Sequence, residues 1–297
     1  MNLDDYLEKN SHSQELRDLV KIIVDQIKPI KDEFLGGGEK TGIYNIYGEE
    51  QVKLDQKANE ILLKALYNSK LVKQAGSEEE KEVIQIDSKK GRLGITIDPL
   101  DGSSLIPTNL AVGIIISIYE NGEIMSGLRN ITQAFYILLG PLTLMVFADK
   151  NGVSQFICNK KGVMDLVKEH LIIPEGKLYS PGGLRKEWTS AHLDLISNLE
   201  EEGFKLRYSG SFVPDFHQIL TYGGIFTYPA LLNEPDGKLR VLFEVGPMAF
   251  IAEKAGGAAI DGGKGILEII PTKVDQRTPV YIGSKKLIEE LKEKLSP

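Results

Sequence analysis

Two aspartates three residues apart mark the most informative segment of the sequence. Residues 98–104 read DPLDGSS and follow an apolar run. The proline and glycine predict a tight turn at a strand end, which would direct Asp98 and Asp101 into one small volume. The turn would also expose three backbone amides that can bind an anion, those of Gly102, Ser103 and Ser104. Polar turns of this composition also occur in ordinary loops, so the segment alone leaves both interpretations open.

More carboxylates precede this segment. Glu78 and Glu79 lie in a run of acidic residues, and Asp55 starts a predicted helix. Gathered carboxylates repel: at ~4 Å each pair costs roughly 1 kcal/mol in water and about 4 kcal/mol near a protein surface. A folded site of this kind either raises carboxylate pKa values or holds cations. Hard oxygen ligands and few histidines favour Mg²⁺ or Mn²⁺ over Zn²⁺.

This combination of carboxylates and loop amides suits phosphoryl transfer. Phosphate monoesters are among the slowest substrates in water and need up to ~10²¹-fold acceleration. Two or more metal ions can clamp the attacking and leaving oxygens while loop amides hold the phosphoryl group. The sequence therefore predicts a metal-dependent phosphatase.

Composition limits the partners and the compartment. The chain has 297 residues, of which 42% are hydrophobic and 26% charged, as in globular proteins with a large core. A net charge of −7 argues against nucleic acid and anionic membranes as partners. The single cysteine, Cys158, cannot form an internal disulfide, no apolar run reaches the length of a membrane span, and residues 1–5 do not resemble a signal peptide. We therefore expect a cytoplasmic protein.

The elements that must position these residues follow from periodicity. Apolar residues at three- and four-residue steps predict a helix over residues 16–34, kinked at Pro29, and a second helix around 58–66. Further strands and helices are predicted at 94–98, 110–119 and 142–148, and at 188–199, 215–222, 247–255 and 285–295. The mixture indicates layered α/β structure. We place a boundary between an N-terminal metal-site domain, residues 1–172, and a C-terminal substrate-binding domain, residues 173–297.

The acidic motifs resemble the metal site of the lithium-sensitive, magnesium-dependent phosphatases. Three motifs narrow the resemblance to class I fructose-1,6-bisphosphatases: RYSGS at 207–211, YGGIFTYPA at 222–230 and GKLR at 237–240. The resemblance extends from about residue 14 to the C-terminal region. It implies an αβαβα sandwich of two domains, a homotetramer or dimer, and Mg²⁺-dependent hydrolysis of the 1-phosphate of fructose 1,6-bisphosphate in gluconeogenesis.

The resemblance also assigns roles to individual positions. It implies that metals are bound by five residues, Glu78, Asp98, Asp101, Glu244 and the carbonyl of Leu100. Asp55 and Glu79 match residues that activate water, and Gly102, Ser103 and Ser104 match the loop that holds the reacting phosphate. The second phosphate would be bound by Tyr208, Tyr228 and Lys238, with Arg207 reaching across a subunit interface. Glu49 matches a further acidic residue of the metal loop.

One departure from the family pattern keeps the substrate open. Gly182 stands where most fructose bisphosphatases carry an asparagine ligand for the second phosphate, and the surrounding residues 179–185 look closer to sedoheptulose-1,7-bisphosphatases. That branch tends to lack the tyrosine-rich run at 222–230, so fructose 1,6-bisphosphate stays the first choice. The alternatives are a sedoheptulose-1,7-bisphosphatase, a broader inositol or sugar phosphatase, and a non-enzymatic protein that senses sugar phosphates. The last would have lost a metal-binding carboxylate.

Overall fold

A computed structural model describes residues 1–34, 40–44, 50–86 and 91–295 of the chain. Glu49 lies outside these ranges. Four helices come from the first quarter of the chain: α1 (Leu3–Lys9), α2 (Gln14–Val24), α3 (Ile27–Glu33) and α4 (Lys53–Ser69). Between α3 and α4 a small hairpin joins β1 (Lys40–Tyr44) and β2 (Glu50–Val52).

The larger sheet has eight strands among the described residues. They are β3 (Val72–Ser77), β4 (Ile84–Gln85), β5 (Leu93–Asp101), β6 (Val112–Tyr119), β7 (Gln133–Leu139), β8 (Thr143–Asp149), β9 (Gly152–Cys158) and β10 (Met164–Lys168). The strand order is β10-β9-β8-β7-β6-β5-β3-β4, and every pair is antiparallel except β3 and β5. From β5 to β10, strands that follow one another along the chain are also neighbours in the sheet, so this part of the sheet is a meander.

The smaller sheet has five strands within the described part of the chain and is built from its second half. Its members are β11 (Leu178–Pro181), β12 (Lys205–Leu206), β13 (Gly224–Tyr228), β14 (Ala258–Ile260) and β15 (Val280–Gly283), in the order β12-β11-β13-β15-β14. Four helices accompany it: α5 (Ser190–Glu201), α6 (Phe212–Tyr222), α7 (Gly246–Lys254) and α8 (Lys285–Leu295).

The two sheets and the helices stack in five layers. One core joins α1 to α4 with one face of the eight-stranded sheet. A second core places α6 and α7 between the other face of that sheet and the five-stranded sheet. A third core packs α5 and α8 on the outer face of the five-stranded sheet. This α-β-α-β-α order confirms the predicted layered sandwich.

The covering of both sheet faces explains the sequence pattern of the central strands. All eight residues of β6, VGIIISIY, are buried, so the strand reads as a continuous apolar run instead of alternating with polar residues. Such runs are typical of strands that are packed on both faces. The predicted strands at 94–98, 110–119 and 142–148 correspond to β5, β6 and β8, whose bounds differ by a few residues.

The helix predicted over residues 16–34 is in fact two helices. The chain breaks at Asp25 and Gln26, between α2 and α3, and not at Pro29. Pro29 is the third residue of α3, where the missing N–H would have had no partner within the helix. The proline is therefore tolerated where it stands, and the prediction of a kink at Pro29 was wrong.

The strand that carries the DPLDGSS segment also differs from expectation. β5 continues through Pro99 to Asp101 instead of ending before the proline, and its pairing with β6 shifts register between Asp98 and Asp101. Side chains three apart on a regular strand point to opposite faces. The irregularity removes that alternation, so both aspartates can turn toward the same volume.

The link between the two sheets is short. It runs from the end of β10 to the start of β11, and the predicted boundary between residues 172 and 173 falls within it. The division into two domains remains a prediction. Within the described ranges, no helix combines the length and the apolar character needed to cross a bilayer.

Candidate active site

A cavity of about 370 Å³ opens where the end of β5 meets the beginning of α6. Of the predicted site residues that the structure describes, all except Arg207 line it: Asp55, Glu78, Glu79, Asp98, Leu100, Asp101, Gly102, Ser103, Ser104, Tyr208, Tyr228, Lys238 and Glu244. They come from both halves of the chain, so the cavity depends on the packing of the two halves.

Three carboxylates form the centre of the cavity. Ligand oxygens of Asp98, Asp101 and Glu244 all lie within 4.8 Å of one another, and the three residues are buried. Glu244 comes from a π-helical turn, Val241–Val245, of the kind often found at functional sites. The Thr96 hydroxyl of β5 donates a hydrogen bond of 2.9 Å to the Leu242 carbonyl, which ties this turn to the strand carrying Asp98.

The grouping is electrostatically costly without a cation. Burial, and then the charge of Glu78, raises the pKa of Glu244 to about 8. Burial, followed by the charges of Glu78 and Asp101, raises the pKa of Asp98 well above its ordinary value. The donors are buried carboxylate oxygens whose negative charges repel one another. Such a set fits a hard divalent cation. The cluster could therefore hold a metal ion.

The N-terminus of α6 orients Asp101. Its carboxylate accepts hydrogen bonds from the Ser211 hydroxyl at 2.6 Å and from the backbone amides of Phe212 and Val213 at 3.1 and 2.7 Å. Burial raises the pKa of Asp101, while these three donors counteract the increase. Free amides at a helix start favour a negative charge. Asp101 is thus held by the helix that begins beside it.

Glu78 is held by an arginine that sequence reasoning did not assign to the site. The buried Arg240 guanidinium donates to Glu78 and lies 4.0 Å from Glu244, while the Arg240 backbone amide donates to Glu244 at 2.7 Å. Arg240 therefore supplies positive charge beside two of the predicted metal ligands. In the sequence, the four-residue spacing of Arg240 and Glu244 was the signal that could have placed Arg240 beside the site.

Asp55 reaches the loop after Asp101 from α4. Its carboxylate accepts a hydrogen bond of 2.9 Å from the Ser103 hydroxyl. One turn further along α4, the Asn59 amide donates to Glu80 at 3.0 Å, and its oxygen accepts from the Ser77 hydroxyl at 2.7 Å. These bonds connect α4 to the acidic run that includes Glu79. Asn59 was not singled out in the sequence.

The loop after Asp101 continues into a short 3₁₀ helix, Ser103–Thr108. Gly102 precedes it with φ at 80°, a left-handed conformation that favours glycine. A Cβ at this position would lie 2.4 Å from the Ser211 Cβ. Glycine therefore allows the loop to approach the start of α6 closely, next to the carboxylate cluster.

The same cavity is lined by two phenols and a lysine. Tyr208 and Lys238 are exposed, whereas Tyr228 is half-buried, and burial raises the pKa of Tyr228. A Cβ added to Gly182 would lie 2.3 Å from the Tyr228 ring. The ring therefore occupies the space in which an asparagine at position 182 would begin.

Among the predicted site residues within the described ranges, Arg207 is the one that does not line the cavity. It is exposed, and its guanidinium donates a hydrogen bond of 3.1 Å to the Leu206 carbonyl. All four histidines belong to described ranges, and none lines the cavity: His217 bonds to the Tyr136 hydroxyl at 2.7 Å, and His12 bonds to Asp149 at 2.7 Å.

Two family models cover nearly the whole chain. The N-terminal domain of fructose-1,6-bisphosphatase matches residues 3–169, and its C-terminal domain matches residues 172–296. The chain belongs to the fructose-1,6-bisphosphatase family.

Relatives within the family are similar over their full length. The class 1 fructose-1,6-bisphosphatases of Methanocorpusculum labreanum and Methanospirillum hungatei are 44% and 45% identical to this chain. Each alignment covers 97% of this chain, and 90% and 93% of the relatives. The crystal structure of fructose-1,6-bisphosphatase from Leishmania major in holo form superposes with a TM-score of 0.93 at 31% identity, covering 99% of this chain and 98% of that one.

Proposed function

We propose that the chain hydrolyses the 1-phosphate of fructose 1,6-bisphosphate, giving fructose 6-phosphate and phosphate. The observation that carries the proposal is one cavity lined both by the buried cluster of Asp98, Asp101 and Glu244 and by Tyr208, Tyr228 and Lys238. A substrate with two phosphates matches this combination of groups. Family membership supports the same reaction.

Magnesium is the proposed cofactor, with manganese as the alternative. The residues that would hold it are Asp98, Asp101, Glu244, Glu78 and the carbonyl of Leu100. When bound, a divalent cation neutralises charge on the transferring phosphoryl group and increases the acidity of water. The donors are oxygen atoms, as magnesium requires, and the charges of the cluster favour a cation.

The chain's own groups accept the proton and bind the phosphoryl group. Asp55 and Glu79 line the cavity as carboxylates that can accept a proton from an attacking water. Asp55 also accepts from the Ser103 hydroxyl, which sets its direction toward the loop. The amides of Gly102, Ser103 and Ser104 follow the cluster directly and are assigned to the phosphate that is released.

The second phosphate is assigned to Tyr208, Tyr228 and Lys238. Two phenol hydroxyls and an ammonium can donate to its oxygens, and the ammonium attracts its charge. We assign Arg207 to the same phosphate in a neighbouring subunit, since its side chain is exposed and does not line its own cavity. A homodimer or homotetramer is proposed accordingly.

The assay that tests the function compares three substrates. Phosphate release with Mg²⁺ is measured from fructose 1,6-bisphosphate, sedoheptulose 1,7-bisphosphate and inositol 1-phosphate, with Asp98→Asn as the control. We expect the fructose ester to be hydrolysed fastest and its turnover to fall at least about a hundredfold in the control, since a ligand of the cluster is lost.

The other outcomes separate the alternatives. Preference for the seven-carbon ester would show that Gly182 and its neighbours decide the substrate, because Gly182 is the departure from the family pattern. Equal turnover of inositol 1-phosphate would indicate a broad phosphatase that makes no use of a second phosphate. Failure to hydrolyse any of the three would refute the enzymatic function and leave a binding protein.

A further inference from the structure

Asp215 is a fully buried carboxylate to which the reaction assigns no role. It lies in the first turn of α6, and its side chain turns back to the loop that precedes the helix. The two carboxylate oxygens accept the Ser209 backbone amide at 2.8 and 3.0 Å, and one of them also accepts the Gly210 amide at 3.3 Å. The carboxylate therefore binds two successive residues of this loop.

The loop bound by Asp215 begins directly after Tyr208. Tyr208 is 47% exposed, so packing covers only part of it. The backbone, which is anchored at the next residue, therefore contributes to the direction of the side chain toward the cavity. Gly210 takes a φ of 98°, so the turn that follows depends on glycine and on its bond to Asp215.

The same end of α6 also holds a residue of the carboxylate cluster. Ser211 and the amides of Phe212 and Val213 bind Asp101. Asp215, by contrast, binds the two residues that directly follow Tyr208.

We propose that Asp215 is a positioning residue that sets Tyr208 for the second phosphate of the substrate. This inference rests on the proposed function, in which Tyr208 binds that phosphate. A carboxylate suits the task because it accepts hydrogen bonds with both oxygens, whereas an asparagine would present an NH₂ group to N–H donors. Burial raises the pKa of Asp215 to about 6, so the ionised form prevails at neutral pH and above.

The test separates KM from kcat on two substrates. In Asp215→Asn, we expect KM for fructose 1,6-bisphosphate to rise about tenfold, as for the loss of a hydrogen bond to a charged group, while kcat stays within about threefold. KM for fructose 1-phosphate, which lacks the second phosphate, should stay unchanged. The matched control is Asp149→Asn, which removes another buried, hydrogen-bonded carboxylate far from the cavity and should leave both KM values unchanged.

Three outcomes would overturn the inference. One is an unchanged KM for the bisphosphate in the variant. Another is an equal rise of KM for both substrates, because α6 would then act on the whole site. The third, a wild-type enzyme that does not hydrolyse the bisphosphate, would refute the proposed function as well, and the wild-type assay identifies this case.

A second variant keeps the inference testable if Asp215→Asn does not fold. Ser209→Pro removes the donated N–H from the loop and changes no residue of α6, and Ser209→Ala, which loses only the hydroxyl that bonds to Ser211, is its control. We expect the same selective rise of KM for fructose 1,6-bisphosphate, with fructose 1-phosphate unaffected. An unchanged KM for the bisphosphate in this variant would overturn the inference.

Discussion

Individual carboxylates of the site are stabilised in different ways. Asp101 receives three donors from the start of α6, and Glu78 receives the guanidinium of Arg240. Asp98 accepts the Leu100 amide at 3.0 Å, and burial still raises its pKa. The protein itself therefore compensates the charges of Asp101 and Glu78, whereas we expect the charge of Asp98 to depend more strongly on a cation.

Arg240 is expected to stabilise the fold most when no metal is bound. Arg240→Met leaves Glu78 and Glu244 without its positive charge, and removing one partner of a buried ion pair costs about 3 kcal/mol or more. We expect thermal unfolding at a lower temperature, with much of the loss recovered by millimolar Mg²⁺. Arg129→Met, which removes an exposed ion pair with Glu268, is the control and should change little. An unchanged melting temperature in Arg240→Met would contradict this account.

Lys238 is expected to select substrates with two phosphates. Lys238→Ala removes the ammonium from the cavity that Tyr208 and Tyr228 also line. KM for fructose 1,6-bisphosphate should rise about tenfold or more, since a charge-assisted contact is lost, while KM for inositol 1-phosphate should stay the same. Steady-state kinetics on the two substrates measures the difference. Parallel changes would show that Lys238 acts elsewhere in the site.

At the scale of elements, the site depends on how α4 and α6 approach the eight-stranded sheet. α4 carries Asp55 and Asn59 one turn apart, and Asn59 bonds to Ser77 and Glu80 at the end of β3. α6 begins beside the bulge of β5. Each helix is therefore attached to a strand end by polar side chains, next to the predicted site residues.

Asn59 is expected to fix the positions of the two proposed proton acceptors, Asp55 and Glu79, relative to each other. Asn59→Ala removes both hydrogen bonds between α4 and the acidic run, so Asp55 and Glu79 can move relative to each other. We expect kcat to fall about tenfold, because small misplacements of catalytic groups reduce rates strongly. Asn10→Ala, which removes a hydrogen bond near the end of α1, is the control. Equal kcat values in the two variants would contradict the expectation.

Across the whole molecule, the N-terminal helices are attached to the sheet far from the cavity. His12, between α1 and α2, bonds to Asp149 at 2.7 Å at the end of β8, and Asn151 donates its backbone amide to the same carboxylate at 2.7 Å. Asp149 is fully buried. Burial raises the pKa of Asp149, but the hydrogen bonds from His12 and Asn151 outweigh burial and hold the pKa below its ordinary value of 3.8.

This attachment predicts a specific dependence of stability on pH. Because the folded pKa of Asp149 is depressed, its contribution to stability is present above pH 3.8 and is lost as the pH falls through the folded pKa. Asp149→Asn should lower the free energy of unfolding by about 2 kcal/mol at pH 7. Denaturant unfolding at several pH values should show that the difference from wild type shrinks below pH 3.8. A difference that does not vary with pH would exclude this mechanism.

The sequence by itself determined the local chemistry and most of the elements. Three segments are each contiguous in the sequence: DPLDGSS, the acidic run and the tyrosine-rich stretch. Their chemistry could therefore be recognised without a structure. Helices α4, α5, α7 and α8 were predictable because apolar spacing reflects the turn of the helix itself. The helix break at Asp25 was not predictable from Pro29, since a proline near a helix start costs little.

Only the tertiary structure decided which distant groups meet. Arg240 and Glu78 are separated by 162 positions, and their contact requires the π-helical turn to pack against β5. The common direction of Asp98 and Asp101 depends on a shift of register with β6, and the role inferred for Asp215 depends on how α6 begins. Local patterns encode backbone preferences over a few residues, whereas these contacts arise from strand register and layer packing, which no short segment specifies.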